Sequence, residues 1–164
     1  MRGDDEFSEF ATARQQAMYR QAYLLCGNAD AAQDLVQATL LKLYRSWPRV
    51  VKADNLVAYG HKTMVRTYLD GQRRWRRERA WHARPDGAAA SPSSDLRMTL
   101  LAALSELPPR ARAVVVLRFW DDLSIDQTAE ALGCSAGTVK AQSSRALAVL
   151  RERLGADFHV LHEN

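Results

Sequence analysis

Apolar residues recur along this chain at intervals of three and four positions, and regular alternation of apolar and polar residues between turns is absent. Over residues 29–47 the positions with this spacing are Ala32, Leu35, Val36, Leu40 and Leu43. Such spacing places them on one face of a helix and predicts that this face is buried. The β-branched run over 114–117 lies inside a longer helical pattern and is too short to favour a strand by itself. The pattern therefore predicts an all-α fold.

Residues that begin or end helices divide this pattern into segments. We expect a first helix over about 5–25, closed by Gly27, and a second over about 29–47 that ends before Pro48. Further helices are expected over about 54–81 and 95–105, from Pro109 to about 120, and as a pair over 124–154.

A change in composition separates the chain into two parts. Residues 83–95 gather Pro, Gly, Ala and Ser without helical spacing, which is typical of a flexible linker. We therefore expect two small helical domains joined by such a linker. The predicted bounds are 1–84 for the first domain, 85–97 for the linker, 98–157 for the second domain and 158–164 for a tail.

The second part contains clear signals for two short helices joined by a turn. Ser124 and Gln127 have the spacing of a capping box, and Gly133 is suited to end the helix that they begin. Ser135 can then cap a second helix. Two helices joined by a short turn that contains glycine form the helix-turn-helix pattern.

The second of these helices has an unusual outer face, because its side chains are small or basic. The residues in question are Thr138, Lys140, Ala141, Ser144 and Arg145, with Arg151 toward one edge. Small side chains allow the backbone to approach a groove wall, while Lys and Arg can reach base edges or phosphates. This face predicts a helix that enters the major groove of DNA. The alternative is an ordinary amphipathic helix whose solvent side is rich in Ala.

A basic stripe is expected on the third helix. Its residues are Lys62, Arg66, Arg73 and Arg77, broadened by Arg74 and Arg76, with Trp75 between them. Spacings of four and seven residues keep the stripe on one side of the helix. Cations that follow a phosphate backbone, beside aromatic rings that stack on bases, suit duplex next to single-stranded DNA. The alternative is a solvated basic helix end whose Trp residues pack on the core.

Composition and charge narrow the classes of function. The net charge is +4, but residues 1–40 are mainly acidic and residues 62–84 mainly basic, which indicates different partners for the two segments. Metal-ligand spacings, a phosphate-binding glycine loop and a nucleophile–base pair are absent from the sequence, so we expect no enzyme activity, metal, cofactor or small-molecule substrate. No apolar run approaches ~20 residues and no secretory signal is found, so we expect a cytoplasmic protein without membrane insertion.

Three phrases resemble one protein family: "AYLLCGNADAAQDLVQATLLKLYRSW", "YLDGQRRWRRER" and "ALSELPPRARAVVVLRFWDDLSIDQTAEALGCSAGTVKAQSSRAL". They are similar to bacterial sigma factors of the extracytoplasmic-function group, over roughly residues 5–155. The resemblance implies two domains, called regions 2 and 4, in a subunit that gives promoter specificity to core RNA polymerase. Promoter DNA and core polymerase are the implied partners, and whether an anti-sigma factor also binds is left open.

The resemblance also implies roles for particular residues. The helix over 29–47 would dock on the β′ coiled coil of polymerase through Asp34, Gln37 and Leu41, and region 4 would meet the β flap. The segment over 54–79, with its basic stripe, would recognise and melt the −10 element. The helix over 136–153 would read the −35 element.

The chain departs from the family pattern at Gln33 and Ala38, where members often have carboxylates, and at Arg66, where many have Asn. The alternatives to a sigma factor are a sigma-like decoy that binds an anti-sigma factor and a stand-alone helix-turn-helix regulator. The basic stripe and the cationic helix argue against a decoy. No room remains for a separate dimerisation domain, which argues against a regulator of the second kind.

Overall fold

The structure is a computed structural model that describes the backbone of residues 2–82, 92–156 and 158, and the side chains of these residues except 73–82 and 92–97. Helices connected by short turns make up this described part, which contains no strand, and this confirms the predicted all-α class. The helices are α1 (Arg2–Cys26), α2 (Ala29–Arg45), α3 (Trp47–Val50), α4 (Leu56–His82), α5 (Pro92–Ser105), α6 (Pro109–Val115), α7 (Ile125–Leu132) and α8 (Ala136–Leu154). A π-helical turn, Val116–Trp120, continues α6.

The first two helices form a hairpin around a tight turn. Gly27 lies at φ +70°, a conformation that glycine adopts without strain. The Asn28 side chain then accepts a hydrogen bond of 3.0 Å from the backbone N–H of Ala31 and so caps α2. The predicted inner face of α2 is confirmed, because Leu35 and Leu43 are buried with the rest of it and only Leu40 is partly exposed.

The predicted end of the second helix was wrong by two residues. Helix α2 stops at Arg45, and Trp47 begins the separate short helix α3. Pro48 explains the break, because it has no N–H to donate to the preceding turn. The Trp47 ring is buried against the edge of Phe7, at 5.4 Å between ring centroids. The short helix thus closes one end of the hairpin.

Helix α4 packs against the hairpin and buries Met64, Val65 and Tyr68. Asn55 caps it, since its Oδ1 accepts from the N–H of Ala58 at 3.0 Å. In the second half of the chain, Leu104 and Val115 pack with Leu150 of α8 in a core of their own. The run over 114–117 is buried and helical, as its surroundings in the sequence indicated.

The two halves pack against each other and share one larger core. That core joins Leu25 and Val65 of the first half to Leu117 and Leu132 of the second. Residues 83–91, most of the predicted linker, lie outside the described residues, and α5 begins at Pro92. The domain bounds given above stay a prediction.

Candidate nucleic-acid interface

Local hydrogen bonds build the helix-turn-helix as the sequence predicted. The N–H of Gln127 donates to Ser124 Oγ at 3.0 Å, and the N–H of Ser124 donates to Gln127 Oε1 at 2.8 Å, which completes the capping box. Gly133 ends α7 at φ +66°, and Ser135 Oγ accepts from the N–H of Thr138 at 3.1 Å to start α8. Each of these contacts spans at most four residues, so local sequence determines where α7 begins and ends and where α8 begins.

Helix α8 separates its two faces as predicted. Val139, Ala146, Leu150 and Leu154 are buried against the rest of the second half. The opposite residues are all exposed: Thr138, Lys140, Ala141, Ser144, Arg145 and Arg151. This small and basic surface is available for a groove. DNA contact by each of these residues stays a prediction.

Of the predicted basic stripe, the structure describes the side chains of Lys62 and Arg66, and both face α7. Arg66 Nε donates to the backbone carbonyl of Ala131 at 3.1 Å, and its Nη2 donates to that of Glu130 at 3.3 Å. Lys62 Nζ lies 3.8 Å from Glu130 Oε1. The stripe side chains that lie outside the described residues are those of Arg73, Arg74, Trp75, Arg76 and Arg77, on the backbone of α4.

A buried polar cluster that the sequence did not reveal lies where α1, α4 and the π-helical turn meet. Gln21 Nε2 donates to Asp121 Oδ2 at 2.7 Å, and His61 Nδ1 lies 3.1 Å from Gln21 Oε1 and 3.5 Å from Asp121 Oδ2. Because an amide oxygen only accepts, His61 Nδ1 carries the hydrogen in this pairing. The three residues satisfy one another although their sequence separations reach 100 residues.

Burial perturbs both titratable groups of this cluster. It raises the pKa of Asp121 to about 7, against the lowering effect of Arg14 and with a smaller increase from Asp122. It lowers the pKa of His61 to about 4, and the charge of Arg14 adds to that effect. Both shifts favour neutral side chains, as expected where water is largely excluded.

The outer face of α2 is exposed at each predicted docking position, Asp34, Gln37 and Leu41. Leu41 is 48% exposed and Tyr44, one turn further on, is 46% exposed, so the two form a continuous apolar surface. The Tyr44 hydroxyl donates to Asp4 Oδ1 at 2.9 Å. Sequence reasoning missed Tyr44, although its spacing of three residues from Leu41 was a signal that could have found it.

Metal sites and membrane-spanning helices are absent from the described part of the chain. It holds no group of three or more His, Cys, Asp or Glu side chains placed to bind a metal ion. No helix in that part is long and apolar enough to cross a membrane. Cys26 and Cys134 are free, and burial raises the pKa of the Cys26 thiol to about 12, although Arg112 opposes this shift.

Comparison with known proteins identifies both halves. Residues 10–82 match the family model of Sigma-70 region 2, and residues 97–150 match that of Sigma-70, region 4. The chain is 38% identical over 157 residues to RNA polymerase sigma-E factor of Streptomyces coelicolor, which covers 92% of this chain and 87% of that protein. It is 31% identical to the ECF RNA polymerase sigma factor SigE of Mycolicibacterium smegmatis, over 90% of this chain and 61% of that protein.

A solved structure has the same fold. It is that of the sigma factor RpoE in complex with the anti-sigma factor NepR from Bartonella quintana. The match has a TM-score of 0.73 at 25% identity, and it covers 93% of this chain and 98% of that one.

A helix-turn-helix whose second helix has an exposed basic face is typical of DNA-binding transcription proteins. The matches to Sigma-70 region 2 and Sigma-70 region 4 identify the family within this class of proteins. The chain belongs to the sigma-70 family, in the extracytoplasmic-function group. As an alternative sigma factor it binds core RNA polymerase and directs promoter recognition, and it is an initiation factor rather than an enzyme.

Proposed function

We propose that the exposed face of α8 reads the −35 element of the promoter. The observation that carries this proposal is the separation of faces on α8, where one side is buried and the exposed residues of its first three turns opposite that side are small or basic. Lys140 and Arg145 can donate to guanine, and Ala141 and Ser144 between them permit close approach. Thr138 in the first turn and Arg151 at the edge are suited to phosphate contacts.

Helix α4 is proposed to contact the −10 region. Lys62 and Arg66 lie at one end of the stripe, and the sequence continues it through Arg73, Arg74, Arg76 and Arg77. These cations would follow the phosphate backbone, while Trp75 would stack on a base once the strands separate. In this arrangement phosphate contacts position the chain, and base contacts on α8 specify the sequence.

The outer face of α2 is proposed to dock on the β′ coiled coil of core polymerase, in the cytoplasm where transcription occurs. Exposed Leu41 and Tyr44 supply apolar area, and Asp34 and Gln37 supply polar contacts at its edge. Region 4 is proposed to meet the β flap. Since the matched sigma factor RpoE was solved with the anti-sigma factor NepR, we propose that this chain also has an anti-sigma partner.

Run-off transcription on a pool of promoter fragments tests the assignment of α8. Core polymerase with this chain is expected to produce new start sites that share a pair of upstream elements. Arg145→Ala should relax the preference at the −35 element. Arg153→Ala is the matched control, because Arg153 lies on the same helix, outside the proposed face, and pairs with Glu106 at 2.7 Å. An unchanged −35 preference in Arg145→Ala would show that the assigned face is wrong.

A further inference from the structure

A groove of about 510 Å³ lies between α4, α8 and the turn that joins α5 to α6. Its volume falls within the range of about 300–1,000 Å³ that is usual for small-molecule sites. Leu69 of α4, Leu107 of the turn and Val149 of α8 supply apolar surface from three directions. Because three separate elements enclose the groove, it can surround a small molecule, whereas a single exposed helix face cannot.

The charged side chains that line the groove, among the described residues, are all positive. They are Arg110, near the start of α6, and Arg145 of α8. Arg110 Nη2 donates to the carbonyl of Leu132 at 3.0 Å, and Arg145 Nε donates to that of Ala141 at 3.4 Å. Each bond uses only part of a guanidinium group, so further N–H donors remain for a ligand. Since no carboxylate stands among these lining residues, the groove favours an anion.

Gln142 adds a polar group without a partner to the same wall. Its Oε1 is buried and accepts no hydrogen bond from the described residues. A buried acceptor without a donor costs free energy, which an N–H or O–H of a ligand would recover. Gln142 precedes Arg145 by three residues and therefore lies on the same side of α8. Gln72 of α4 offers a second amide to the groove.

We propose that this groove is a binding site for a small organic anion with an aromatic body and an N–H or O–H donor. The rings would pack against Leu69 and Val149, where the walls are apolar. The carboxylate, sulfonate or phosphate of the ligand would pair with Arg145, because a guanidinium binds such groups through two parallel hydrogen bonds. The donor of the ligand would meet Gln142. Apolar contact supplies most of the affinity in such a site, and the polar groups fix the orientation.

Occupation of the groove would compete with DNA for one side chain, and this consequence rests on the proposed function. The guanidinium of Arg145 that would pair with the anion is the group proposed to donate to guanine. A saturating ligand should therefore weaken binding to promoter DNA, and promoter DNA should weaken binding of the ligand by the same factor. The existence of the site does not depend on this competition.

Fluorescence titration of the full-length chain with anilinonaphthalene sulfonate tests the site directly. This probe has an aromatic body, a sulfonate and an N–H donor, and its emission rises in an apolar environment. We expect saturable binding. Arg145→Gln should raise the dissociation constant roughly three- to tenfold, because it removes the charge that pairs with the sulfonate. Lys140→Gln is the matched control, since it removes an equal charge from an exposed position of α8 that does not line the groove.

Two further comparisons separate this site from unspecific apolar binding. Val149→Glu places a carboxylate in the groove and should abolish binding of the probe, whereas the neutral Val149→Gln, of the same size, should weaken it much less. Circular dichroism must show that both variants retain their helix content. Phenylnaphthylamine lacks the sulfonate, so its affinity should be the same for the wild-type chain and for Arg145→Gln.

The titration contains no DNA, so its result is independent of the proposed function. If Arg145 proves not to read the −35 element, the titration still decides whether the groove binds the anion. Absence of saturable binding to the wild-type chain would overturn the inference. Equal affinity of Arg145→Gln and Lys140→Gln for the sulfonate probe would also overturn it, as would an equal loss of affinity for phenylnaphthylamine in Arg145→Gln.

Discussion

Replacement of Asp121 by Asn should stabilise the chain, and more strongly at high pH than at low pH. The Asp121 side chain is only 10% exposed and accepts from Gln21 Nε2 at 2.7 Å. Asn has nearly the same shape and keeps an oxygen for that hydrogen bond. What Asp121→Asn removes is the cost of a carboxylate charge in a place that water hardly reaches.

The pKa of Asp121 gives the size and sign of the effect. Burial raises it from 3.8 to about 7, so the folded state prefers the neutral acid. A pKa that is raised on folding stabilises the folded state at pH values below the pKa of the unfolded chain. This contribution is lost as the pH rises through the pKa of the folded chain. At 1.36 kcal/mol per unit the upper bound is about 4 kcal/mol, and residual hydration lowers our expectation to about 2–3 kcal/mol at pH 8.

The lowered pKa of His61 changes the stability with pH in the opposite direction, so the measurement must separate its effect from that of Asp121. Its pKa is lowered from 6.5 to about 4, so its contribution is present above 6.5 and is lost as the pH falls toward 4. The wild-type chain alone therefore shows a nearly flat profile over this range. The difference between Asp121→Asn and wild type removes most of the His61 contribution, because both chains contain His61.

Urea denaturation followed by circular dichroism at pH 5 and pH 8 measures this difference. The free energy of unfolding of Asp121→Asn minus that of wild type should grow by about 1–3 kcal/mol between the two pH values. Asp54→Asn is the control, because it removes an equal charge from an exposed position outside the cluster. A difference that stays constant or shrinks with pH would refute our account of the cluster.

Four further changes have defined outcomes. Arg145→Ala should cost about 1–3 kcal/mol of discrimination against a mutated −35 element in competition binding, and the proposed base contact fails if discrimination is unchanged. Arg73→Ala should weaken binding to all promoters alike and reduce the salt slope by about one, whereas a sequence-dependent loss would argue for base contact. Ser124→Ala removes the capping box and should lower the free energy of unfolding by about 1 kcal/mol in urea. Burial raises the pKa of Cys26 to about 12, so in Cys134→Ser iodoacetamide should label the native chain at pH 8 far more slowly than the unfolded chain.

Features fixed by nearby residues could be predicted from the sequence. The capping box at Ser124, the cap at Asn55 and the buried face of α2 depend on contacts within one or two helical turns. The outward face of α8 follows from the same helical period. The end of α2 was predicted two residues too late, because the helical spacing of apolar residues continues across Ser46. The missing N–H of Pro48 removes a hydrogen bond from the turn that precedes it.

The contacts between the halves could not be predicted, because they depend on the position of whole helices. Gln21 and Asp121 are 100 residues apart, and neither has a local pattern that indicates a partner. The basic stripe was visible as charge, but charge alone does not distinguish phosphates from the carbonyls at the end of α7. The family resemblance indicated DNA as a partner of these cations. It did not indicate that Arg66 contacts α7 of the same chain.

Arg66 shows why the contact of α4 with α7 and a contact with a DNA phosphate exclude each other. A shorter side chain such as that of Asn could not donate to two carbonyls of a neighbouring helix from the same site. Arg66 reaches both, at 3.1 and 3.3 Å, with the donors that a phosphate would use. A phosphate that accepts from these two donors must therefore first displace the two carbonyls of α7.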